Sequence, residues 1–560
     1  MWKGYYLIAA VLLIACSRNE NVEWRPTIQP TATLMPDTVL AELAPFETTA
    51  VPTPDTSTPA APTPDFSNVR VGLAADTAVP TEIVAAVQKI TQQNLVAYKW
   101  VDDSEAAGLR LSVNEGQPLA QWVYALAAPF DTVTDGLTLV ELQTIWQGSN
   151  SSVPVWATEA TAAAMTPILG QPGTAVQIVP EAELGEMLWG QRPSFTILPF
   201  HHLTPDLKLL QLDGISPLAH EFEADAYPLT MTVGVVGEET AVSQFQTLWN
   251  GTASNRDSQK LTRVAVTGVT ALVRATAFNM EQYGILWPGE EVGPLLRSAD
   301  ITHISNEVSF APDCPYPDPV GGTIFCSRDS YFDLIQDMGV DVIELTGNHQ
   351  NDRGRANFVR SLEMYETAGW RIYGGGRNVA EAAQPALFEH NGNKIAFVGC
   401  NSFGPAFAWA TETEAGAMPC DGSLPGQIAQ LRAEGYEVIA TLQYTEFYHY
   451  AATAGQAADF QALAEAGATA VSGSQGHHAQ GFDFYEGAFI HYGLGNLFFD
   501  QMDMLGTRQT FVDTYVFYDG RLLSVELWTG LIEQYARPRV MTVAEREQAL
   551  TAVFQASDLP

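Results

Sequence analysis

Apolar positions fall into three regimes along the chain. Residues 5–15 form a continuous apolar run, shorter than the roughly 20 residues a membrane-crossing helix needs. Residues 17–67 lose all periodicity. Their stretch Thr53-Pro54-Asp55-Thr56-Ser57-Thr58-Pro59-Ala60-Ala61-Pro62-Thr63-Pro64 has no apolar face to bury, and its prolines stiffen it into a linker. Beyond it the pattern becomes that of a folded protein. Residues 69–73, 109–113 and 121–126 read as strands, and 83–90 carries the spacing of a one-faced helix. Further on, apolar strands are expected at 263–266, 340–345, 394–398, 437–442, 468–472 and 488–492. Helical stretches at 331–338 and 456–466 lie among them. Alternating strands and helices predict a layered α/β architecture in both parts. No solenoid period recurs.

A chain of 560 residues is long for one core. Two folded units are expected, at 68–255 and 256–545. A hydrophobic share of 46% is ample for both. The 27 basic residues against 64 acidic leave a net charge of -37. Such a surface is solvated and repels phosphate backbones, which argues against a nucleic-acid partner. The basic start Met1-Trp2-Lys3 and the apolar run after it read as a signal peptide, residues 1–16. The run ends in Leu13-Ile14-Ala15-Cys16, which resembles the bacterial lipobox. That implies cleavage before Cys16, lipidation of its thiol and anchorage on the extracellular face of the cell membrane. Residues 17–67 then hold the folded part away from the bilayer. Cys314, Cys326, Cys400 and Cys420 remain. An even remainder in an exported protein suggests two disulfides, with three connectivities available. The local pairs, Cys314 with Cys326 and Cys400 with Cys420, are favoured over the other pairings; four free buried thiols are the alternative.

Three segments of the first unit resemble type II periplasmic solute-binding proteins, the phosphate-binding kind in particular. They are Leu137-Thr138-Leu139-Val140-Glu141-Leu142-Gln143-Thr144-Ile145-Trp146-Gln147-Gly148, then Leu212-Asp213-Gly214-Ile215-Ser216-Pro217-Leu218, then Tyr227-Pro228-Leu229. No Gly/Ser/Thr-rich phosphate cradle stands in the early position. His201-His202 has no partner at ligand spacing and reads as structural.

The second unit resembles the CapA family of bacterial capsule and poly-gamma-glutamate synthesis proteins, which implies a calcineurin-like metallophosphatase fold. The segment 299–307 ends in Asn306-Glu307, where the family has Asn-Leu-Glu. Gly347-Asn348-His349 with Asp352 and Gly354 resembles its Asn-Asn-His-x-x-Asp-x-Gly motif. The strand 368–376 runs into a glycine turn, and Gly493-Leu494-Gly495-Asn496-Leu497-Phe498-Phe499-Asp500 is close to the family's terminal motif. The resemblance implies Asn306, Glu307, Asn348 and His477 as metal ligands. His349 would be general acid, with Glu446 as a second catalytic residue. It also implies one divalent ion (manganese, zinc or iron) or none, and a partner that is an anionic extracellular polymer or a small solute. Three positions depart from the family. Val269 replaces an aspartate, while Gln443 and Gln475 replace histidines. Valine has no lone pair, and a glutamine oxygen is a weak ligand beside imidazole. A two-ion centre needs a bridging carboxylate between ions about 3.5–4 Å apart, so a degenerate site is expected. The bland alternatives are that Asn348 and His349 cap the following helix and that His477 and His478 form a polar loop pair. His303 is expected as a structural histidine on a strand. The aromatics around Glu446 suit sugar or amide stacking as well as an ordinary rim. No Gly-x-Ser-x-Gly elbow, P-loop or dinucleotide fingerprint is present.

Overall fold

The computed structural model describes residues 70–102, 107–148 and 153–560. The signal peptide, Cys16 and the 17–67 linker lie outside the described residues.

The first sheet is assembled from residues 71–237. Its strand order runs Tyr98–Trp100, Val71–Ala75, Leu109–Val113, Thr230–Gly237, Gln117–Pro129, Phe195–Pro199, Val155–Ala157, Val176–Ile178. The strand read at 121–126 is the middle of Gln117–Pro129, whose 13 residues serve both ends of this sheet. The helix read at 83–90 is Thr81–Gln93, which buries Ile83, Val87 and Ile90 on one stripe.

Two further sheets come from residues 261–540. One orders Arg371–Tyr373, Val342–Glu344, Ile301–Asn306, Leu261–Thr267, Gln509–Tyr518, Arg521–Glu533 and Arg537–Val540. The other orders Ala386–His390, Asn393–Asn401, Glu437–Gln443, Ala470–Ser474, Ala488–His491 and Phe482–Tyr485. Alternation along each strand explains how they stack. Val264, Val266, Phe397, Ile439 and Ala470 meet in one core between the sheets. The opposite face of the first sheet buries Ile304 and Ile343 against Leu334, Phe358 and Leu362 of flanking helices. The opposite face of the second buries Val398, Val438 and Val471 against Ile428, Leu431 and Phe460. The result is two sheets packed together with helices outside, an α/β layer arrangement. The helices expected at 331–338 and 456–466 are Phe332–Asp337 and Ala454–Glu465.

All described residues fall within one compact unit, Phe66–Pro560. Leu261, Val516, Tyr518 and Leu523 join the first core, and Phe130 joins the central core of the second part. The Arg521 guanidinium bonds the carbonyls of His201 and Leu203. Both expected disulfides are formed, Cys314 with Cys326 and Cys400 with Cys420. Among the described residues no helix is long and apolar enough to cross a membrane.

Candidate functional site in the second half

Parallel strands bring their carboxyl ends to one edge, the usual place for a ligand in an open α/β sheet. Glu307 directly follows the strand Ile301–Asn306, and Asn348 and His349 sit in the loop after Val342–Glu344. Gln443 ends the strand Glu437–Gln443, while Gln475 and His477 occupy the loop after Ala470–Ser474. Gly347 lets these loops close up, because a Cβ there would lie 2.6 Å from the Glu307 Cα. Gln475 and His477 hold left-handed backbone, φ 72 and φ 48, although neither is glycine. Strain of this kind costs about 1–3 kcal/mol per residue and persists only where the surroundings impose it, often at functional sites.

The centre of the site is the carboxamide of Gln443. Its Nε2 donates to Glu307 Oε1 at 3.1 Å and to Asn348 Oδ1 at 3.1 Å, and it also meets Gln475 Oε1. An amide has two hydrogens for these three acceptors. All four side chains are buried. Gln475 Nε2 donates to Glu446 Oε1 at 3.3 Å, and Tyr448 Oη donates to Glu446 Oε2 at 2.5 Å. Behind Gln443, Ser474 Oγ lies 3.1 Å from Gln443 Oε1 and 3.2 Å from Glu344 Oε1. Glu344 in turn pairs with the buried His303 at 3.3 Å. Burial pushes the Glu344 carboxyl up, but the His303, Thr346 and Thr441 bonds outweigh it and hold the group below the ordinary carboxylate range. His303 is thus satisfied by Glu344 and by Tyr373 Oη at 2.9 Å, as a structural histidine should be.

His349 stands at the mouth, packed on Phe325 with ring centroids 4.4 Å apart. Its Nδ1 lies 2.7 Å from Asp352 Oδ2. Burial pulls its pKa down, but the Asp352 bond and the charges of Glu307, Asp352 and Glu446 outweigh it, so the imidazole is more basic than usual. It is therefore a proton donor at the rim. Neither Asn348 nor His349 caps the next helix; the cap of Arg355–Ala368 is Gly354. Arg274 completes the rim. Its guanidinium lies over the rings of Phe325 and Phe499, 5.0 and 4.9 Å from their centroids. It is also paired with Asp500.

Of the residues expected to form the site, Glu307, Asn348, His349, Glu446 and His477 line it. Asn306 stands apart from this hydrogen-bonded group: its Nδ2 donates to Val308 O and Tyr365 Oη, while its Oδ1 is buried without a hydrogen-bond partner. The strand alternation that points Asn306 into the core is what brings Glu307 to the edge. Sequence reasoning treated Gln443 and Gln475 only as losses; their carboxamides turn out to bind the retained residues together.

The donor set can be tested against the metal chemistry of such folds. Val269 is buried and offers no donor atom. The oxygens of Glu307 and Asn348 face an amide N–H₂ from Gln443. These residues do not fit a two-ion centre. Two donor atoms suit a single ion better. Glu307 Oε2 is buried without a hydrogen-bond partner. Asn496 Oδ1 takes the His477 Nδ1 proton at 2.7 Å while its amide donates to two carbonyls. That fixes the tautomer and leaves the His477 Nε2 lone pair directed outward, as in metal-binding imidazoles. Glu446 Oε1 is 3.9 Å from that nitrogen.

Among the described residues, one group brings three His, Cys, Asp or Glu donor atoms within 4.8 Å of one another, and it lies elsewhere: Glu82, His201 and His202. The reading of His201-His202 as lacking a partner is thereby corrected. Glu82 arrives from 119 residues upstream, 3.1 Å from His201 Nε2 and 2.9 Å from His202 Nε2. Protons rather than a metal account for the His201 end. Asn255 Nδ2 faces His201 Nδ1 at 3.1 Å, and Asn255 cannot flip without losing both its bonds to the Val123 backbone. His201 Nε2 therefore carries the hydrogen that Glu82 accepts.

Residues 259–501 match the family model described as bacterial capsule synthesis protein PGA_cap. A curated relative, the PGA biosynthesis protein CapA of Bacillus subtilis (strain 168), is 26% identical over 171 residues. Residues 259–501 belong to the CapA family. The alignment covers 30% of this chain and 45% of that relative, so the chain spans less than half the length of the curated protein it matches. Among solved structures, an ABC-type phosphate transport receptor from Vibrio cholerae is similar to part of the chain. It has 12% identity and a TM-score of 0.29, covering 32% of this chain and 94% of that one. A 5'-nucleotidase precursor from Thermus thermophilus shows 13% identity and a TM-score of 0.29, covering 53% of this chain and 58% of that one. The CapA-family region contains every site residue described above except those of the Glu82 cluster.

Proposed function

We propose that this is a lipid-anchored protein of the outer cell surface that serves capsule or poly-gamma-glutamate-type polymer synthesis, export or retention. Its CapA-family site is degenerate and works by binding an anionic polymer or small solute. The observation that carries this reading is the Gln443 carboxamide. It donates to Glu307 and Asn348 and meets Gln475, where two-ion catalysis would require imidazole ligands and a bridging carboxylate. The lipobox at Cys16 and the Pro-rich linker support the anchored placement. His349, more basic than usual, supplies a proton-bearing group at the rim for a carboxylate-bearing ligand, while the Arg274 guanidinium beside it is already paired with Asp500.

A second reading is a metal-dependent hydrolase or transferase acting on a phosphoester or polymer amide. It is favoured by two atoms, the partnerless Glu307 Oε2 and the outward Nε2 of His477. Together with Glu446 they could hold one divalent ion, which would polarise a bound oxygen and activate water. His349 would then deliver a proton to the leaving group. Elemental analysis of the purified chain, wild type and His477→Ala, together with a phosphoesterase assay, separates the readings. Turnover that depends on His477 would establish the second; its absence supports the first.

A further inference from the structure

The first half contains a cavity of about 940 Å³ that has no part in the site above. One wall is Asp76 and Thr77, which follow the strand Val71–Ala75, with the start of the helix Thr81–Gln93. The other wall is the start of the helix Glu159–Leu169 with Glu181 and Asp206. Two helix N-termini therefore line one cleft, an arrangement that ordinarily favours an anion by about 0.3–1 kcal/mol per helix. Here the chain's own carboxylates take that place, since Glu82 and Glu159 stand in the first turns.

The charge of the lining decides what remains attractive. Asp76, Glu82, Glu159, Glu181 and Asp206 line the cleft, with no Lys or Arg among the described lining residues. Arg110 answers Asp76 at 2.6 Å. His202 bridges Glu82 at 2.9 Å and Glu181 at 2.7 Å. Asp206 receives only the Trp189 indole N–H at 3.0 Å, and Glu159 has no cationic partner among the described residues. An independent feature points to a polar ligand. Tyr124 is 2% exposed and lines the cleft, and its hydroxyl has no hydrogen-bond partner among the described residues. Trp100 lines the cleft as a second aromatic.

We propose that this cleft binds a small organic polyamine, and that it does not bind phosphate. Ammonium groups would meet Glu159 and Asp206, donate to the Tyr124 oxygen and lie against the Trp100 ring. This assignment does not depend on the reading of the CapA-family site.

The test is isothermal titration of the purified full chain at low salt with spermidine, inorganic phosphate and zinc chloride. Saturable one-to-one uptake of spermidine is expected. It should weaken about tenfold or more in Glu159→Gln and in Tyr124→Phe, the scale of one lost bond to a charged group. Unchanged thermal melting would show that both variants fold. Binding of phosphate instead of spermidine would overturn the proposal. So would stoichiometric zinc uptake lost in His202→Ala, or spermidine uptake equal in all variants, which would signify diffuse attraction to an acidic chain. No uptake of spermidine at all would overturn it too.

Discussion

Gln443 is the residue on which the account of the CapA-family site turns. Gln443→Leu keeps the volume but removes the amide that donates to Glu307 Oε1 and Asn348 Oδ1. Buried acceptors without donors cost about 1–3 kcal/mol, so urea unfolding should show a loss of that size. A loss under about 0.5 kcal/mol, the range of ordinary surface changes, would mean the carboxamide is not holding the site together. His349 makes a second prediction. Its folded pKa is raised above the ordinary 6.5. Its pairing with Asp352 therefore contributes stability in full below that value, and the contribution fades as pH rises through the folded pKa. NMR titration should find His349 more basic than free histidine, and Asp352→Asn should bring it down. An unchanged titration in Asp352→Asn would refute the pairing. At this scale the sequence was legible as far as proximity goes: the separate motifs that hold Glu307, Asn348 and His477 meet at one edge of the sheets. The Nδ2 bonds of Asn306 to Val308 and Tyr365 were not legible, because the face a strand residue takes depends on register, which a motif does not specify.

Whole elements were easier to foresee than their ends. The strand expected at 394–398 runs Asn393–Asn401, and the one expected at 340–345 shrinks to Val342–Glu344. Apolar runs mark the buried middle of a strand, while its ends are set by neighbours that a local pattern does not contain. The buried pair behind the site is an example of such non-local closure. Glu344 ends one strand and His303 lies on the next, with Ser474 reaching in from the other sheet. Glu344 titrates below its ordinary 4.5. It thus adds stability above that pH, which is lost as pH falls through the lowered value. Glu344→Gln should flatten the acid limb of the stability curve, and an identical limb would contradict the pairing. The Cys400–Cys420 bridge ties the strand Asn393–Asn401 to the loop before the helix Leu424–Ala433. Cys400→Ser with Cys420→Ser should cost about 3 kcal/mol by chain-entropy reasoning. Equal stability with and without the bridge would show that the loop is held by other means.

At the scale of the whole molecule, layered α/β order was legible because strand and helix periods alternate in plain view. The Glu82, His201 and His202 grouping was not, since 119 residues separate Glu82 from His201 and only the folded sheet brings them together. The net charge of -37 also acts at this scale. A polyanion approaching the surface is repelled, so polymer capture should rely on local proton donors such as His349. The claim on which the rest depends is that the CapA-family site has exchanged two-ion chemistry for a carboxamide-linked binding site. Elemental analysis with a phosphoesterase assay on the purified chain tests it most directly. A carboxamide-linked site should hold no more than one divalent ion per chain and show no turnover. Two ions per chain, or hydrolysis abolished by His477→Ala, would contradict it.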